Sequence, residues 1–326
     1  MLIKRPRRNR KTSAIRSLVE ETILRPEDFV APFFVLPGTN RKEEISTLPG
    51  IHRLSIDLIL QEAEHLHKQR IPAIALFPVI PTSEKNPHGT LALDPQGIIP
   101  RAISEIKRTI PSLCIITDIA LDPFTSHGHD GVIDERGEVM NDETVSLLAK
   151  MALLHAQAGA DIIAPSDMMD GRVGAIRTVL DQHLFHHVGI LAYAAKYASS
   201  LYSPFRDALG SQLSTGNKKG YQLNPANIRE ALLEAHLDEE EGADMLMIKP
   251  ALFYLDVIAK LREKTQLPIC AYHVSGEYAM VMAAHERGML HAPHVFHEAL
   301  LSIKRAGADF IFTYALHQVL PLLNKI

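Results

Sequence analysis

Two lysines stand where their amines could do chemistry. Lys249 follows the apolar run Met245-Leu246-Met247-Ile248 and precedes Pro250, while Lys196 follows the apolar stretch 190–195. Four apolar residues shortly after a glycine read as a buried strand, and the proline ends it because it cannot continue the ladder. An amine at such a strand end is poorly solvated, so its protonated form is disfavoured, and a second cation nearby lowers its pKa further. A neutral amine is a nucleophile for ketones. One lysine of this kind reads first as a rim residue whose stem covers apolar surface while its head reaches water. Two of them, after consecutive predicted strands, turn the reading towards a paired-amine centre.

The elements that must position these amines form a regular alternation. Strand-like apolar runs occur at 30–36, 73–77, 113–117, 161–164, 189–193, 245–248, 268–274 and 310–314. Helical periodicity lies between them, at 58–68, 99–108, 143–158, 228–241, 254–264 and 297–306. Eight strands alternating with helices predict a closed parallel (β/α)8 TIM barrel over 29–326, preceded by an N-terminal arm, 1–28. An internal echo supports it: Gly159-Ala160-Asp161, Gly242-Ala243-Asp244 and Gly307-Ala308-Asp309 each follow a helical pattern and open an apolar run. A glycine there can take the left-handed conformation that closes a helix. The long connections, 118–141 and 197–226, both leave strand C-termini, so that face should carry the site.

The whole chain of 326 residues is 46% hydrophobic and 22% charged, an ordinary soluble globular composition. A net charge of −4 gives no global attraction to nucleic acid or anionic membrane. No apolar run approaches the ~18 residues that span a bilayer. Cys114 and Cys270, the only cysteines, fall in predicted strands and read as core residues of a reducing compartment, which predicts a cytoplasmic protein. The basic segment Lys4 to Lys11 has no apolar stretch behind it to make a signal peptide. It reads as a solvated tail, with a nucleic-acid arm or an arm docking on a neighbouring subunit as alternatives.

Further candidates sit in the long connections. Asp118, Asp122, Asp130, His127 and His129 share one loop and could ligate a metal, although Asp, Ser and Gly also form turns. Ser166 ends the fourth predicted strand. Arg206, Lys218, Lys219 and a glycine-rich stretch follow Lys196, which suits a lid clamping an anionic substrate or an ordinary surface loop. Glu230, Glu234 and Asp238 form an i, i+4, i+8 stripe that is either solvated or shared with a cation. The seventh strand ends at Tyr272-His273 and turns through Ser275 into a helix start that favours anions, and the eighth ends at Thr313-Tyr314.

The strings TDIALDPFTSHGHDG, APSDMMDGRV, YAAKYASSLYSPFRDA, MIKP, VSGEYAM and RAGADFIFTYA, with the RPRRNR arm, closely resemble the porphobilinogen synthase (5-aminolevulinate dehydratase) family. The resemblance implies a (β/α)8 barrel that condenses two 5-aminolevulinate molecules to porphobilinogen, releasing two waters, in tetrapyrrole and heme biosynthesis. It implies Schiff bases on Lys249 and Lys196. Arg206 and Lys218 match carboxylate-binding cations, the latter usually Arg in the family. Gln222, Ser275, Tyr314, Asp118 and Ser166 match substrate contacts or pocket residues. Ala120, Asp122 and Asp130 stand at the three zinc-cysteine positions, so no catalytic thiolate zinc site is expected. The likeness is to the magnesium-responsive type, with an allosteric Mg2+ at Glu234 and a homo-octamer held by the arms. His273 stands where Gln is common. A class I aldolase-like barrel, with a single imine lysine and often a phosphate pocket, and a non-catalytic binding barrel are the rival readings.

Overall fold

The computed structural model describes residues 2–214 and 216–323; Met1 of the expected arm, and Thr215 and 324–326 of the expected barrel, lie outside the described residues. In chain order the strands are β1 (Phe29–Leu36), β2 (Lys42–Glu44), β3 (His52–Ser55), β4 (Ala73–Pro78), β5 (Cys114–Ile119), β6 (Ile162–Pro165), β7 (Gly189–Lys196), β8 (Met245–Lys249), β9 (Ile269–His273) and β10 (Phe310–Thr313). The helices are α1 (Ser13–Leu18), α2 (Ile56–Lys68), α3 (Ile98–Thr109), α4 (Asn141–Ala158), α5 (Arg172–Gln182), α6 (Ser203–Leu209), α7 (Arg229–Glu240), α8 (Leu255–Arg262), α9 (Ser275–Glu286), α10 (Ala292–Ala306) and α11 (Leu316–Leu323).

Strands β1 and β4 to β10 pair in parallel, and β10 returns to β1, so the sheet closes as a (β/α)8 barrel. Parallel strands sheathed by helices are buried on both faces, which is why each apolar run is continuous rather than alternating. All eight residues of β1 are buried. Closure at this seam is partial. Phe29 and Val30 of β1 pair with β10, whereas Phe34 to Leu36 pair with β3. The hairpin β2–β3 therefore takes over the wall at the C-terminal end, where it can reach whatever covers the mouth.

The three Gly-Ala-Asp echoes do one job each time. Gly159, Gly242 and Gly307 all have positive φ, closing α4, the turn after α7 and α10. The aspartate then reaches across to the preceding strand: Asp161 accepts the N–H of Ile115, Asp244 that of Ile190 and Asp309 that of Ile269, each at 2.7 Å. The same aspartates donate their own N–H to the carbonyls of Ile115, Ile190 and Ile269. Each echo thus pins the register of a strand pair at the bottom of the barrel.

Before the barrel, α1 is capped by the Thr12 hydroxyl, which accepts the N–H of Ile15 at 3.2 Å, and buries no residue. The connection after β7 folds into a 3₁₀ turn (Ser200–Tyr202) and α6, which lie over the C-terminal mouth. Phe205 of α6 packs edge-on to Phe77 at 5.1 Å and tilted against Phe34 at 5.7 Å.

Candidate active site

Lys196 and Lys249 are the last residues of β7 and β8 and are register partners, with a bulge between Ala192 and Ala195. A bulge re-aims the side chains beyond it. Both lysines consequently line one cavity, together with Asp118, Ser166, Arg206, Lys218 and Gln222. Its volume is ≈ 20 Å³, room for about one water, so the lid segment is closed down and a substrate must displace it.

The two amines have different surroundings. Lys249 Nζ makes no hydrogen bond or ion pair among the described residues and sits 4.4 to 5.3 Å from the ring centres of Tyr272, Phe205, Tyr202 and Tyr193. Ring faces attract a cation, but burial and then repulsion from Lys196 outweigh them, and the pKa is pushed down to about 7. Lys196 Nζ instead donates to the Ser166 carbonyl and lies 3.6 Å from Asp130 Oδ2. One amine is thus set up to be neutral while the other has an anionic partner.

The carboxylates follow from the same field. Burial, then Asp122, pushes Asp118 up to about 7, against the pull of Lys196 and a hydrogen bond from Ser166. Burial also opposes ionisation of Asp130, yet Lys196 and Lys218 together hold it down at about 2. Burial raises Asp122. Lys218 Nζ donates to Asp130 Oδ1 at 2.8 Å and to Asp122 Oδ2 at 3.4 Å, so its charge already has two partners. The Arg206 guanidinium makes no hydrogen bond or ion pair among the described residues. Gln222 Oε1 and Asp118 Oδ1 are buried acceptors without hydrogen-bond partners.

Of the site residues that the resemblance implies, Ser275, Tyr314 and Glu234 lie outside this cavity. The Ser275 hydroxyl accepts the N–H of Phe205 at 3.1 Å and donates to the Leu201 carbonyl at 3.2 Å, tying the first residue of α9 to the lid. Tyr314 shares a 2.9 Å hydrogen bond with Tyr272, whose ring faces Lys249. Glu234 lines a separate cavity of ≈ 600 Å³ with Glu230 and Asp170, which meets the first at Gln222. The stripe on α7 is split: Asp238 is buried and takes both guanidinium nitrogens of Arg172 at 2.9 and 3.0 Å, so the solvated reading fails there. Burial, the largest influence, raises Glu234 above the usual carboxylate range, with Asp238, Asp170 and Glu230 adding to it.

The 118–131 loop closes on its own bonds. Thr125 donates to the His129 carbonyl, the His129 N–H meets His127 Nδ1, and His127 Nε2 lies 3.0 Å from the Pro87 carbonyl. Among the described residues, no group of three or more His, Cys, Asp or Glu is arranged to hold a metal. His273 bonds Thr313 through Nδ1 at 3.0 Å, and burial pushes its pKa down to about 3, so it is a neutral core residue. Sequence reasoning missed the ring cage of Tyr193, Tyr202, Phe205 and Tyr272. For Tyr193 and Tyr272 the available signal was an aromatic near the C-terminal end of the strands that flank β8, whereas Tyr202 and Phe205 reach the amine from the connection after β7.

Fold and site define a class: a (β/α)8 barrel carrying a pair of buried amines at the C-terminal mouth, beneath a closed lid. Within that class, a family model described as Delta-aminolevulinic acid dehydratase matches residues 3–322. A Delta-aminolevulinic acid dehydratase of Chlamydia pneumoniae is 55% identical over 99% of this chain and 97% of its own. A chloroplastic one from Selaginella martensii is 52% identical over 96% of this chain and 75% of its own. The crystal structure of the Toxoplasma gondii ME49 enzyme (porphobilinogen synthase), in complex with the reaction product porphobilinogen, superposes with a TM-score of 0.96. It is 47% identical and covers 99% of this chain and 92% of its own. The chain belongs to the delta-aminolevulinic acid dehydratase family.

Proposed function

We propose that this chain condenses two molecules of 5-aminolevulinate to porphobilinogen with loss of two waters, a lyase reaction of porphyrin biosynthesis, through imines on Lys249 and Lys196. The observation that carries the reading is the pair of buried strand-end amines lining one small cavity, one of them desolvated to a pKa of about 7. Neutral Lys249 attacks the ketone of the first substrate, and imine formation expels one water. Lys196, after giving up its proton, does the same with the second and expels the other. The tethered substrates then meet as neighbours rather than by collision. Forming the C–C and C–N bonds of the pyrrole releases both lysines as amines. Asp118, half protonated near pH 7, is placed to move protons between them.

Arg206, with an unpaired planar fork, suits a substrate carboxylate. Gln222, Asp118 and Ser166 offer polar contacts within the cavity. Lys218, Ser275 and Tyr314 enter the same reading as contacts that must share or exchange their present partners. Glu234 shares its cavity with Glu230 and Asp170, which are not gathered into one set of metal ligands, so a Mg2+ there would rest on Glu234 and keep several waters. Such an ion would act away from the lysines, as an allosteric one. A cytoplasmic location and a homo-octamer joined by the arms complete the proposal.

Borohydride added with 5-aminolevulinate should trap substrate on Lys249, and incubation without borohydride should yield a pyrrole. Full activity in a Lys249→Ala variant would rule the mechanism out. Mg2+ should raise activity, the response should vanish in Glu234→Gln, and a zinc-selective chelator should leave activity intact. Loss of activity restored only by zinc would contradict the metal assignment.

A further inference from the structure

Glu277 is a fully buried carboxylate with no ion-pair partner among the described residues. It is the third residue of α9, and its Oε2 accepts the N–H of Val274 at 2.7 Å, the bond by which a helix start is ordinarily capped. The other oxygen reaches a different element. Oε1 accepts the N–H of Leu252 at 2.7 Å, and the amides of Ala251 and Phe253 help to stabilise the same charge. These amides open the 3₁₀ turn Leu252–Tyr254, whose own N-cap, Ala251, offers it no side-chain hydrogen bond. One carboxylate thus serves two helical starts, its own and the one that follows Lys249 and Pro250. Burial pushes its pKa up to about 8 against those amides, a cost that a neutral Gln would avoid if only α9 had to be capped.

Lys249 depends on this second tie. The β8–β9 ladder ends at Ile248 and Ala271, so Lys249 and Tyr272, whose ring is the nearest to its amine, lie one step beyond the last register pair. Lys196 is held at its amine by the Ser166 carbonyl and Asp130, whereas the Lys249 amine has no hydrogen bond and takes its place from its backbone. On the β7 side the Lys249 carbonyl accepts the Tyr197 N–H and the Tyr202 hydroxyl, both at 2.9 Å. On the β9 side Glu277 bridges the turn after Lys249 to the start of α9. That start is itself immobilised: a Cβ on Gly276 would lie 2.6 Å from the Leu201 carbonyl, so α9 begins in direct contact with the lid.

We infer that Glu277 is a positioning residue for Lys249: its carboxylate clamps the turn 251–253 to the start of α9 and so keeps the strand end, and with it the amine, inside the ring cage. It touches neither substrate nor reacting atoms. The inference rests on the imine at Lys249 proposed above, and one arm of its test does not need that chemistry, so the two can fail separately.

Hydrogen exchange of the full chain reads the clamp directly. The Leu252 amide opens its turn and has no backbone partner, yet in the wild type it should exchange about a hundredfold more slowly than an open amide, and it should lose most of that protection in Glu277→Gln. The second arm is the pH limb of borohydride trapping at Lys249, whose amine feels Lys196, Asp118, Asp122 and Asp130. Loosening the strand end hydrates the amine, so in Glu277→Gln the limb should move up by about one pH unit. Loss of the Glu277 charge alone would move it down, and a loss of folded protein would lower the amplitude without moving it. A Leu252 amide that exchanges freely in the wild type would overturn the inference, as would a limb that stays in place or moves down in folded Glu277→Gln. Should Glu277→Gln fail to fold, exchange in the wild type still decides. A wild type that traps no substrate at Lys249 while its Leu252 amide is protected would overturn the proposed imine and not the clamp.

Discussion

At the scale of residues, the two amines differ because one has a carboxylate and the other has rings. Lys249 is deprotonated above about pH 7, since burial and Lys196 lower its pKa, while Asp118, Asp122 and Asp130 pull it back up. The rate of borohydride trapping at Lys249 should therefore fall about tenfold per pH unit below that point, as the neutral amine is titrated away. Replacing Lys196 by Met removes a repelling cation, raises the Lys249 pKa and moves this limb to higher pH; Asp118→Asn removes an attracting anion and moves it lower. Trapping with an unchanged limb in both variants would disprove the coupling. The lysines themselves were legible in the sequence, because a lysine closing an apolar run is conspicuous. The charge partners were not. Asp238 looks like the third member of a solvated stripe until α7 is seen to turn it onto Arg172, a contact across 66 positions that no local spacing encodes. Likewise Lys218 reads as one of two adjacent lid lysines, Lys218 and Lys219, and only the folded chain shows which of them is buried.

At the scale of elements, the barrel strands were readable because parallel strands need continuous apolar runs, and the Gly-Ala-Asp echo marked three of the helix ends. Strands β2 and β3 and helices α1, α5, α6 and α11 escaped notice: the hairpin is short and half polar, and α6 has seven residues in a stretch rich in turn formers. Yet this hairpin holds the lid helix. Arg53 of β3 donates from Nε to the Ala208 carbonyl at 2.6 Å and from Nη2 to the Asp207 carbonyl at 2.7 Å. The Thr47 hydroxyl donates to the Asp207 carboxylate at 2.8 Å, and Lys85 Nζ to the Gly210 carbonyl at 2.7 Å. Cations at a helix C-terminus answer its unpaired carbonyls and its dipole. Because α6 also carries Phe205 and Arg206, Arg53→Met should loosen the helix and raise KM for 5-aminolevulinate roughly 10- to 100-fold, as expected if the equivalent of one charged hydrogen bond, ~1.5–3 kcal/mol, is lost to substrate binding. The lysines are untouched, so kcat should change much less, and Arg53→Lys should recover part of the loss. A fall in kcat at constant KM, tracking a fall in Tm, would show that Arg53 only supports the fold.

At the scale of the whole molecule, the arm is the part that the barrel does not explain. It is anchored at its end: Leu24 and Asp28 are buried, and Asp28 takes the Lys304 ammonium at 3.1 Å. Ahead of that anchor the chain exposes its apolar side chains, with Ile3 at 88%, Leu18 at 84% and Leu2 at 67% of full exposure, amid Arg5, Arg7, Arg8 and Arg10. Side chains of this size gain ~1.5–3 kcal/mol each when buried, so an arm left in water forgoes a stabilisation that a second copy of the chain can provide. Deleting residues 2–20 should leave the barrel folded, because no residue of that segment is buried. If the arms join the homo-octamer proposed above, the deletion should lower the mass measured by analytical ultracentrifugation below that of the full chain, with the full chain dissociating on dilution as mass action requires. An arm-deleted chain that keeps the mass of the full one would mean that the barrels associate through their own faces, and that these exposed apolar residues serve some other partner.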